Sequence, residues 1–496
     1  MTGTWPIGAA SGPAHSPEGL TAERGRHVIE QFLALSPAQR HELLGAQAGR
    51  CVPVVPRVGS PAVLPASYGQ EAQWFLWRCA ESSSAYNVPA CYDVTGPLRP
   101  SRLRTALRTL GRRHEILRTT YGDTDAGVVQ YVHDSLPLDV AMAIAADREQ
   151  AVDRAIQAAV APFDLRREAP MRVRLFRYAP ERHLLLISAH HIAVDDHSSN
   201  IIERDLGACY RAAVIGGVPD LPPLTVQYAD FAAWHRCTDW QPGLGYWRHQ
   251  LADARPSELA GDRTWPDAAR LLAVTRELEI GPTERAALGR LSASQNVSRF
   301  VVLCAMLALL LAEDTFQRDI TFGTPITIRP DRATSALIGF FLNTAVLRLR
   351  IDGQTRVSDL IAEARRVVGA AFDHQYVPFR QVVEAVSAHG DGLRNPLFNV
   401  MFIYLPYVEG PSRDKTAWLA DDLRAESVPL PTDVAYPFVS IAFVEKANGA
   451  SLVCRYPRDV YTRTTMESWG YRLRRILRRS GDDPGALVTD IIGSPA

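Results

Sequence analysis

The chain has 496 residues, of which 47% are hydrophobic and 22% charged, the composition of a globular protein too long for a single core. Its 54 basic and 54 acidic residues balance, which excludes a protein that holds nucleic acid or an anionic membrane through bulk charge. Seven scattered cysteines without a C-x-x-C pair argue against a disulfide framework or a zinc site, and no secretory signal is recognisable. We therefore expect a soluble, cytoplasmic protein.

The chain begins with a segment that predicts little folded structure. Residues 1–20 are rich in Gly, Pro, Ser and Ala, a composition typical of disorder. Two short helices are predicted over 27–35 and 36–47, and the four prolines of 52–65 predict an extended linker. We expect a preamble over residues 1–61.

Residues 62–235 predict a first α/β lobe. Leu103, Leu107 and Leu110 recur at helical spacing and form one face of a helix that ends near Gly111. Further strands are predicted at 128–132, 171–176 and 184–187, and further helices at 151–160 and 201–214.

Residues 236–496 predict a second α/β lobe. Its predicted helices lie at 282–294, 298–312, 357–372 and 379–388, and its predicted strands at 320–327, 344–349, 400–404, 438–445 and 451–456. The apolar run 300–312 is too short to span a bilayer and predicts a buried helix. The sequence carries no phosphate-binding loop and no nucleophile elbow, so nucleotide chemistry is not indicated.

Two adjacent histidines, His190 and His191, follow the apolar strand predicted at 184–187, in a histidine loop over residues 188–198. Histidine is the usual general base, because its proton moves most easily near neutral pH. The spacing His-His-x-x-x-Asp, completed by Asp195, is typical of acyl-transferring enzymes in which the second histidine handles the proton of an attacking amine or hydroxyl. The alternative is a loop whose polar residues only satisfy each other. A capped helix start is predicted after the loop, near Asn200.

Six further segments accompany the histidine loop in a fixed order. They are LPASYGQ at 64–70 with Trp74, RHEILRT at 113–119, YADFAAW at 228–234 with Tyr246-Trp247-Arg248, IGFFLNT at 338–344, HQYVPF at 374–379 and NPLFNVMF at 395–402. Together, over about residues 62–490, these segments resemble the condensation domain of nonribosomal peptide synthetases, which is built from two chloramphenicol-acetyltransferase-like lobes.

The resemblance implies an α/β fold with mixed sheets flanked by helices, in which two lobes form a V-shaped pseudodimer around a central tunnel. It implies an acyltransferase that forms an amide, or an ester, between a carrier-bound acyl thioester and an amine or hydroxyl acceptor. The acyl group arrives on the phosphopantetheine arm of a carrier protein, and no tightly bound cofactor is expected. Carrier proteins are then partners in trans on the donor and possibly the acceptor side, without nucleic acid or membrane, and a monomer is expected. The chain is a free-standing enzyme or a domain cut from a larger synthetase, and the start at Met1 and the preamble favour the first.

The resemblance also assigns roles to residues around the histidine loop. His191 is expected to remove or position the proton of the attacking nucleophile, with His190 beside it as the second catalytic residue. Asp195 is expected to be structural and to pair with Arg329, with Ser198 supporting the site. The segment 113–115 is interpreted as structural, because basic residues suit the end of a helix.

Three residues are expected to line the substrate channel: Asp196, Asn343 and Ser440. Asp196 departs from the pattern, because the family has glycine directly after the motif aspartate, and an acidic side chain there narrows the channel or offers a charge to a basic acceptor. Ala72-Gln73 and the stretch 435–438 also depart from the usual residues. These departures argue against a standard amino-acid acceptor.

Four alternatives share part of this pattern. Epimerisation domains share the histidine motif, but the segment 338–341 resembles condensation sequences, and heterocyclising domains carry aspartates in place of both histidines. An acyltransferase of the same superfamily that uses coenzyme A would share His191 but not the segments at 113–119, 228–234 and 374–379. A non-catalytic recruitment domain usually loses the first histidine or the aspartate, and both are present here.

Overall fold

The structure is a computed structural model. It describes residues 54–57, 63–79, 84–125, 127–136, 138–257, 259–263, 273–386, 395–407, 416–430 and 438–492. The disorder and the two helices predicted for residues 1–47 lie outside the described residues, as do residues 435–437 of the C-terminal departure.

The first half of the chain alternates between strands and helices. Its strands are Val63–Pro65 (β1), Asn87–Thr95 (β2), Thr119–Thr124 (β3), Gly127–Val132 (β4), Val140–Ile144 (β5), Met171–Ala179 (β6) and Arg182–His190 (β7). Its helices are Tyr68–Cys79 (α1), Pro100–Arg113 (α2), Arg148–Ala159 (α3), Asp196–Ile215 (α4), Tyr228–Cys237 (α5) and Gln241–Gln250 (α6).

The second half has the same character. Its strands are Ala273–Ile280 (β8), Asp319–Thr327 (β9), Leu342–Arg350 (β10), Val400–Leu405 (β11), Arg424–Ser427 (β12), Val439–Lys446 (β13) and Gly449–Pro457 (β14). Its helices are Pro282–Ser294 (α7), Arg299–Thr315 (α8), Val357–Asp373 (α9), Phe379–Val386 (α10), Arg463–Asp482 (α11) and Val488–Ile492 (α12). Short 3-10 helices occur at Glu115–Arg118 and Thr334–Ala336.

A five-stranded mixed sheet in the order β12-β2-β7-β6-β5 forms the frame of the first lobe. The central strand β7 pairs antiparallel with both β2 and β6 and places His190 opposite Asn87. Leu185 and Ile187 face the core built with α2 and α4, whereas Leu184 and Leu186 face the core built with α3. A strand buried on both faces needs apolar residues at successive positions, which explains the continuous apolar run.

A six-stranded mixed sheet in the order β10-β9-β11-β13-β14-β8 forms the frame of the second lobe. Helix α8 is its central element, and every residue of 301–312 is buried, which confirms the predicted buried helix. Ser298 caps this helix by accepting a hydrogen bond from the amide of Val301 at 3.3 Å. Among the described helices none is long and apolar enough to span a membrane, although α7 and α8, bent by 113°, meet the length and composition criteria as a pair.

The first lobe includes segments that lie after the boundary predicted at residues 235 and 236. Strand β12 pairs antiparallel with β2 and extends the sheet of the first lobe. Leu419, Leu423 and Phe341 also belong to the core of the first lobe. An apolar side chain packs wherever a complementary cavity is available, irrespective of sequence order. The α/β fold with two lobes is confirmed, but the second lobe is not a continuous stretch of sequence.

Candidate active site

The histidine loop joins the end of β7 to the start of α4. Asp195 is the N-cap of α4, and its carboxylate accepts a hydrogen bond from the amide of Ser198 at 2.8 Å. The helix therefore begins at Asp196, four residues before the start predicted near Asn200. An aspartate side chain stabilises a helix start because it satisfies an amide that has no partner within the helix.

The ring of His191 is held in a defined orientation. Its Nδ1 lies 2.6 Å from the carbonyl oxygen of Val194, and its amide donates to the carbonyl of Tyr86 at 2.8 Å. Because a carbonyl only accepts, Nδ1 carries a hydrogen and Nε2 keeps its lone pair. The ring stands edge-on to Phe340, with 5.1 Å between the centroids. No hydrogen-bond partner of Nε2 is recorded among the described residues.

Burial lowers the pKa of His191 below its ordinary value of 6.5. The Val194 carbonyl and the charges of Asp195 and Asp196 oppose this shift but do not cancel it. The ring is therefore neutral at neutral pH. A general base must be neutral before it can accept a proton, so both the protonation state and the free Nε2 suit that role.

His190 is more deeply buried than its neighbour, with 2% of its surface exposed. Its Nδ1 accepts a hydrogen bond from the amide of Ile192 at 3.1 Å, and its ring stands edge-on to Phe163. Burial, with a further contribution from His191, lowers its pKa to about 3. Its bonded Nδ1 and its burial fit a supporting place in the loop, and a catalytic role of His190 stays a prediction.

Asp195 and Arg329 form the predicted pair beneath the loop. Nη2 of Arg329 lies 3.0 Å from both carboxylate oxygens, and both side chains are almost fully buried. Ser198 Oγ donates to Asp195 at 2.6 Å, and the amide of Phe341 donates to the other oxygen at 3.2 Å. The aspartate is therefore hydrogen-bonded to both lobes, as a buried carboxylate requires.

Arg329 also ties down the segment that follows β9. Its Nη1 donates to the carbonyls of Thr334 at 2.6 Å and Leu337 at 2.8 Å. Its guanidinium carbon lies 4.0 Å from the ring centroid of Phe341, a cation–π contact. One arginine thus orders the whole connection between β9 and β10.

The side chain of Asn343, which is predicted to line the substrate channel, forms hydrogen bonds with the backbone of its own lobe. Its Nδ2 donates to the carbonyls of Gln375 and Val377, each at 2.7 Å, and its Oδ1 accepts from the amide of Phe379 at 3.0 Å. With these bonds made, the amide has little left to offer a substrate. These bonds fix the segment that leads into α10, and a place for Asn343 in the channel stays a prediction.

The other two predicted channel residues occupy different settings. Asp196 is exposed in the first turn of α4, next to the loop, and no ion pair to it is recorded within the described ranges. Ser440 lies in β13 between Val439 and Ile441, which face the core, so that its side chain faces the opposite side of the sheet. Their place in a channel stays a prediction.

Tyr228 joins its own segment, 228–234, to the segments 64–70 and 338–344, a connection that the sequence did not reveal. Its hydroxyl lies 2.8 Å from Ser67 Oγ and donates to the carbonyl of Phe340 at 2.8 Å. A Cβ at Gly339 would lie 2.1 Å from the Tyr228 ring, so only glycine fits there. The fixed order of the segments was the sequence signal available for this contact. Ser67, Tyr228 and Phe340 are otherwise too far apart in the chain for their contact to be predicted.

Asp205 is a second buried carboxylate that sequence reasoning missed. His114 Nε2 lies 2.8 Å and Arg113 Nε 2.9 Å from its Oδ2, and Arg204 Nε lies 2.7 Å from its Oδ1. Burial raises its pKa, but these partners outweigh burial and lower it to about 2. The structural interpretation of segment 113–115 agrees with these contacts. The overlooked sequence signal for this site was an acidic residue, Asp205, among the apolar positions of α4.

No group of three or more His, Cys, Asp or Glu side chains is arranged as metal ligands in the part of the chain that the structure describes.

The site consists of the histidine loop, the Asp195–Arg329 pair and the contact between His191 and Phe340. A two-lobed α/β fold with such a loop is what we expect of the condensation domains of nonribosomal peptide synthetases. The chain matches the Condensation domain family over residues 61–492 and belongs to that family.

Relatives of this chain are large synthetases. It is 33% identical over 477 residues to the probable non-canonical nonribosomal peptide synthetase CymA of Salinispora arenicola, covering 93% of this chain and 6% of CymA. It is 31% identical over 476 residues to the phosphinothricin tripeptide synthetase PhsC of Streptomyces viridochromogenes, covering 92% of this chain and 43% of PhsC. The chain thus spans less than half the length of either relative.

Solved structures of similar fold include an X-domain and a condensation domain. The X-domain of teicoplanin biosynthesis, solved in a complex with OxyB, is 27% identical and superposes with a TM-score of 0.81 over 89% of this chain and 99% of that chain. The condensation domain of the monacolin K polyketide synthase MokA is 22% identical, with a TM-score of 0.72 over 86% of this chain and 99% of that chain. The second likeness concerns the fold alone.

Proposed function

We propose that this chain is a catalytic condensation domain. It forms an amide, or an ester, between an acyl group held as a thioester on the phosphopantetheine arm of a carrier protein and an amine or hydroxyl acceptor. The observation that carries the proposal is the hydrogen bonding of the His191 ring. Its Nδ1 donates to the carbonyl oxygen of Val194 at 2.6 Å, so its Nε2 carries a lone pair that can accept a proton. The lowered pKa keeps that ring neutral and ready to accept a proton.

The proposed step is a direct acyl transfer. The nucleophile attacks the thioester carbonyl carbon, a C–N or C–O bond forms, and its proton passes to His191 Nε2. The C–S bond then breaks, and the proton passes from His191 to the departing sulfur. Holding both reactants in line contributes up to about 7–11 kcal/mol, whereas a general base contributes about 10²–10⁴-fold in rate.

The remaining site residues act through His191 or on the substrates. Asp195, Arg329 and Ser198 hold the loop in place, and His190 shapes its backbone. Asp196 and Ser440 are proposed to face the substrates. Carrier proteins supply the donor, and possibly the acceptor, in trans, and the chain itself holds no tightly bound cofactor.

A second candidate function is the recruitment of a partner protein without acyl transfer. The likeness to the teicoplanin X-domain favours it, since that domain was solved in a complex with OxyB. Asp196 favours it as well, because the acidic side chain stands where the family has glycine and is exposed beside the loop. The histidine pair and the aspartate, all present and bonded, favour catalysis instead.

The deciding experiment combines the protein with acyl-loaded carrier proteins and candidate amines or alcohols and records product mass. The wild type and a His249→Ala control, altered at an exposed histidine of α6, should form product. His191→Ala should form it about 10²–10⁴-fold more slowly. Carrier binding without any product from the wild type would replace the catalytic proposal with the recruitment function.

A further inference from the structure

A groove runs along the outer side of the first lobe, between α2 and the segment 216–227. Helix α4 lies antiparallel to α2, because the amide of Arg99 donates to Tyr210 Oη at 2.9 Å, while Arg113 bonds Asp205 five residues earlier in α4. The segment leaves the end of α4 and returns to α2, where Gln227 Nε2 donates to the carbonyl of Arg113 at 3.0 Å. Helix and segment therefore form two facing walls.

The groove has a volume of about 420 Å³ and an apolar wall. Val218, Leu221 and Leu224 line the segment side, Cys209 of α4 lies between the walls, and Arg112 lines the α2 side. This volume lies within the range of about 300–1,000 Å³ that is typical of pockets for small ligands or single side chains. Burial raises the pKa of Cys209 to about 11, so its thiol is neutral and behaves as a small apolar group.

Two large apolar side chains near the end of α4 are exposed to water. Ile215, the last residue of α4, is 82% exposed, and Val218, which lines the groove, is 89% exposed. Single exposed apolar residues are common on protein surfaces, but Val218 belongs to a groove wall together with Leu221 and Leu224. An exposed apolar wall of this kind is typical of an interaction surface.

The opposite wall is strongly basic. Helix α2 contains five arginines and no acidic residue. Arg104 pairs with Asp139 and Arg113 with Asp205, while Arg102, Arg108 and Arg112 have no ion pair recorded among the described residues. Since the whole chain is electrically neutral, this basic face is a local feature.

Two of these three arginines, Arg102 and Arg112, share one side of α2 with Thr109, which lines the groove. Arg102, Thr105, Thr109 and Arg112 follow the spacing i, i+3, i+7 and i+10 and so form one stripe, with Thr109 and Arg112 lining the groove. Nη2 of Arg113 is buried at the groove without a hydrogen-bond partner within the described ranges. Asp220 contributes one carboxylate to segment 216–224, too few to neutralise the stripe.

We propose that this groove binds a segment of a partner protein that presents a large apolar side chain flanked by carboxylates. The apolar side chain enters between Val218 and Leu224, and the carboxylates reach Arg102 and Arg112. Cys209 lies thirteen residues beyond Asp196 in α4, which is about 20 Å along the helix axis. The groove is thus remote from His191, and its occupant is independent of acyl transfer.

The test is fluorescence anisotropy with a labelled helical peptide that carries leucine and phenylalanine on one face, flanked by glutamates. Binding to the wild type should saturate and weaken as salt is added. The double variant Arg102→Glu/Arg112→Glu and the single variant Val218→Ser should each bind about tenfold more weakly or worse. Arg365→Glu, at an exposed arginine of α9 without a recorded ion pair, is the matched control and should bind as the wild type does.

Each altered side chain is exposed, so thermal unfolding of the variants should match the wild type. Equal affinity in all variants, or equal binding of a peptide with lysines in place of the glutamates, would overturn the proposal. A dimer of the wild type that Arg112→Glu dissociates would also overturn it, because the groove would then bind a second copy of the chain. Product formation by the groove variants should be unchanged, which separates this proposal from the catalytic one.

Discussion

Asp195 and Arg329, 134 residues apart in sequence, meet beneath the histidine loop with both carboxylate oxygens 3.0 Å from one guanidinium nitrogen. The aspartate caps α4 of the first lobe, and the arginine orders the connection between β9 and β10. The pair therefore fixes the loop that holds His191 to the segment that carries Phe340.

Removing one member of this pair should destabilise the protein strongly. Asp195→Ala leaves Arg329 buried without its counter-charge and leaves the start of α4 without its cap, a loss of about 3–5 kcal/mol in the free energy of unfolding. Urea unfolding measures it, with Asp220→Ala, at an exposed aspartate, as the control. The double variant Asp195→Leu/Arg329→Met should recover part of the loss. Wild-type stability of Asp195→Ala would contradict the structural role of the pair.

Gly339 should tolerate no side chain. A Cβ there would lie 2.1 Å from the Tyr228 ring, so Gly339→Ala must displace a fully buried aromatic residue, at a cost of about 1–3 kcal/mol in unfolding free energy. Gly369→Ala in α9 is the matched control, because no atom lies within 4 Å of its added Cβ. That control should stabilise the helix by about 0.5–1 kcal/mol. Equal effects of the two substitutions would refute the close packing at Gly339.

The protein should lose stability as the solution becomes mildly acidic. The pKa of His190 is about 3 in the folded protein, against an ordinary value of 6.5 that applies to the unfolded chain. Between these values the unfolded chain binds a proton that the folded protein does not. The stability present above pH 6.5 is therefore lost as the pH falls, by about 1.4 kcal/mol per pH unit for this one group. His235, with a pKa of about 4, acts in the same direction.

The contribution of His190 can be isolated from the slope of unfolding free energy against pH. Between about pH 5.5 and 4.5, His190→Gln should show a slope shallower by about one proton than the wild type. His249→Gln, at an exposed histidine, should keep the wild-type slope. An unchanged slope in His190→Gln would mean that this histidine is not held neutral in the folded protein.

The charge of Asp196 should affect the pKa of His191 rather than the structure of the site. Its charge raises the pKa of His191, so Asp196→Gly should lower that pKa further. NMR titration of the His191 ring measures the shift directly and does not depend on activity. Asp220→Asn, remote from the loop, should leave the titration unchanged. A His191 pKa that stays constant or rises in Asp196→Gly would rule out this electrostatic coupling.

Local patterns predicted much of the fold. The apolar run at 300–312 could only be a buried helix, and the run at 184–187 a strand with two buried faces, because each is apolar without interruption. The antiparallel pairing of β12 with β2 could not be predicted, because β2 lies more than 300 residues earlier in the chain. The start of α4 was misplaced for a related reason: the capping role of Asp195 is visible only once its side chain is located.

The contacts of the candidate site were predicted in outline. Family resemblance placed Asp195 opposite Arg329, and the contact is present. Residue type alone could not separate His190 from His191, because the difference lies in which ring nitrogen is bonded and how deeply each ring is buried. The three backbone bonds of Asn343 could not be predicted, because they depend on the loop at 375–379, which sequence does not position.

The most direct test of the account is the single-turnover rate of product formation from an acyl-loaded carrier protein, measured as a function of pH. The wild-type rate should fall in acid with a midpoint below pH 6.5, because protonation of His191 removes the base. His191→Ala should react about 10²–10⁴-fold more slowly and lose this acid limb. A His191→Ala variant that keeps both the rate and the acid limb of the wild type would contradict the central claim that His191 accepts the proton of the nucleophile.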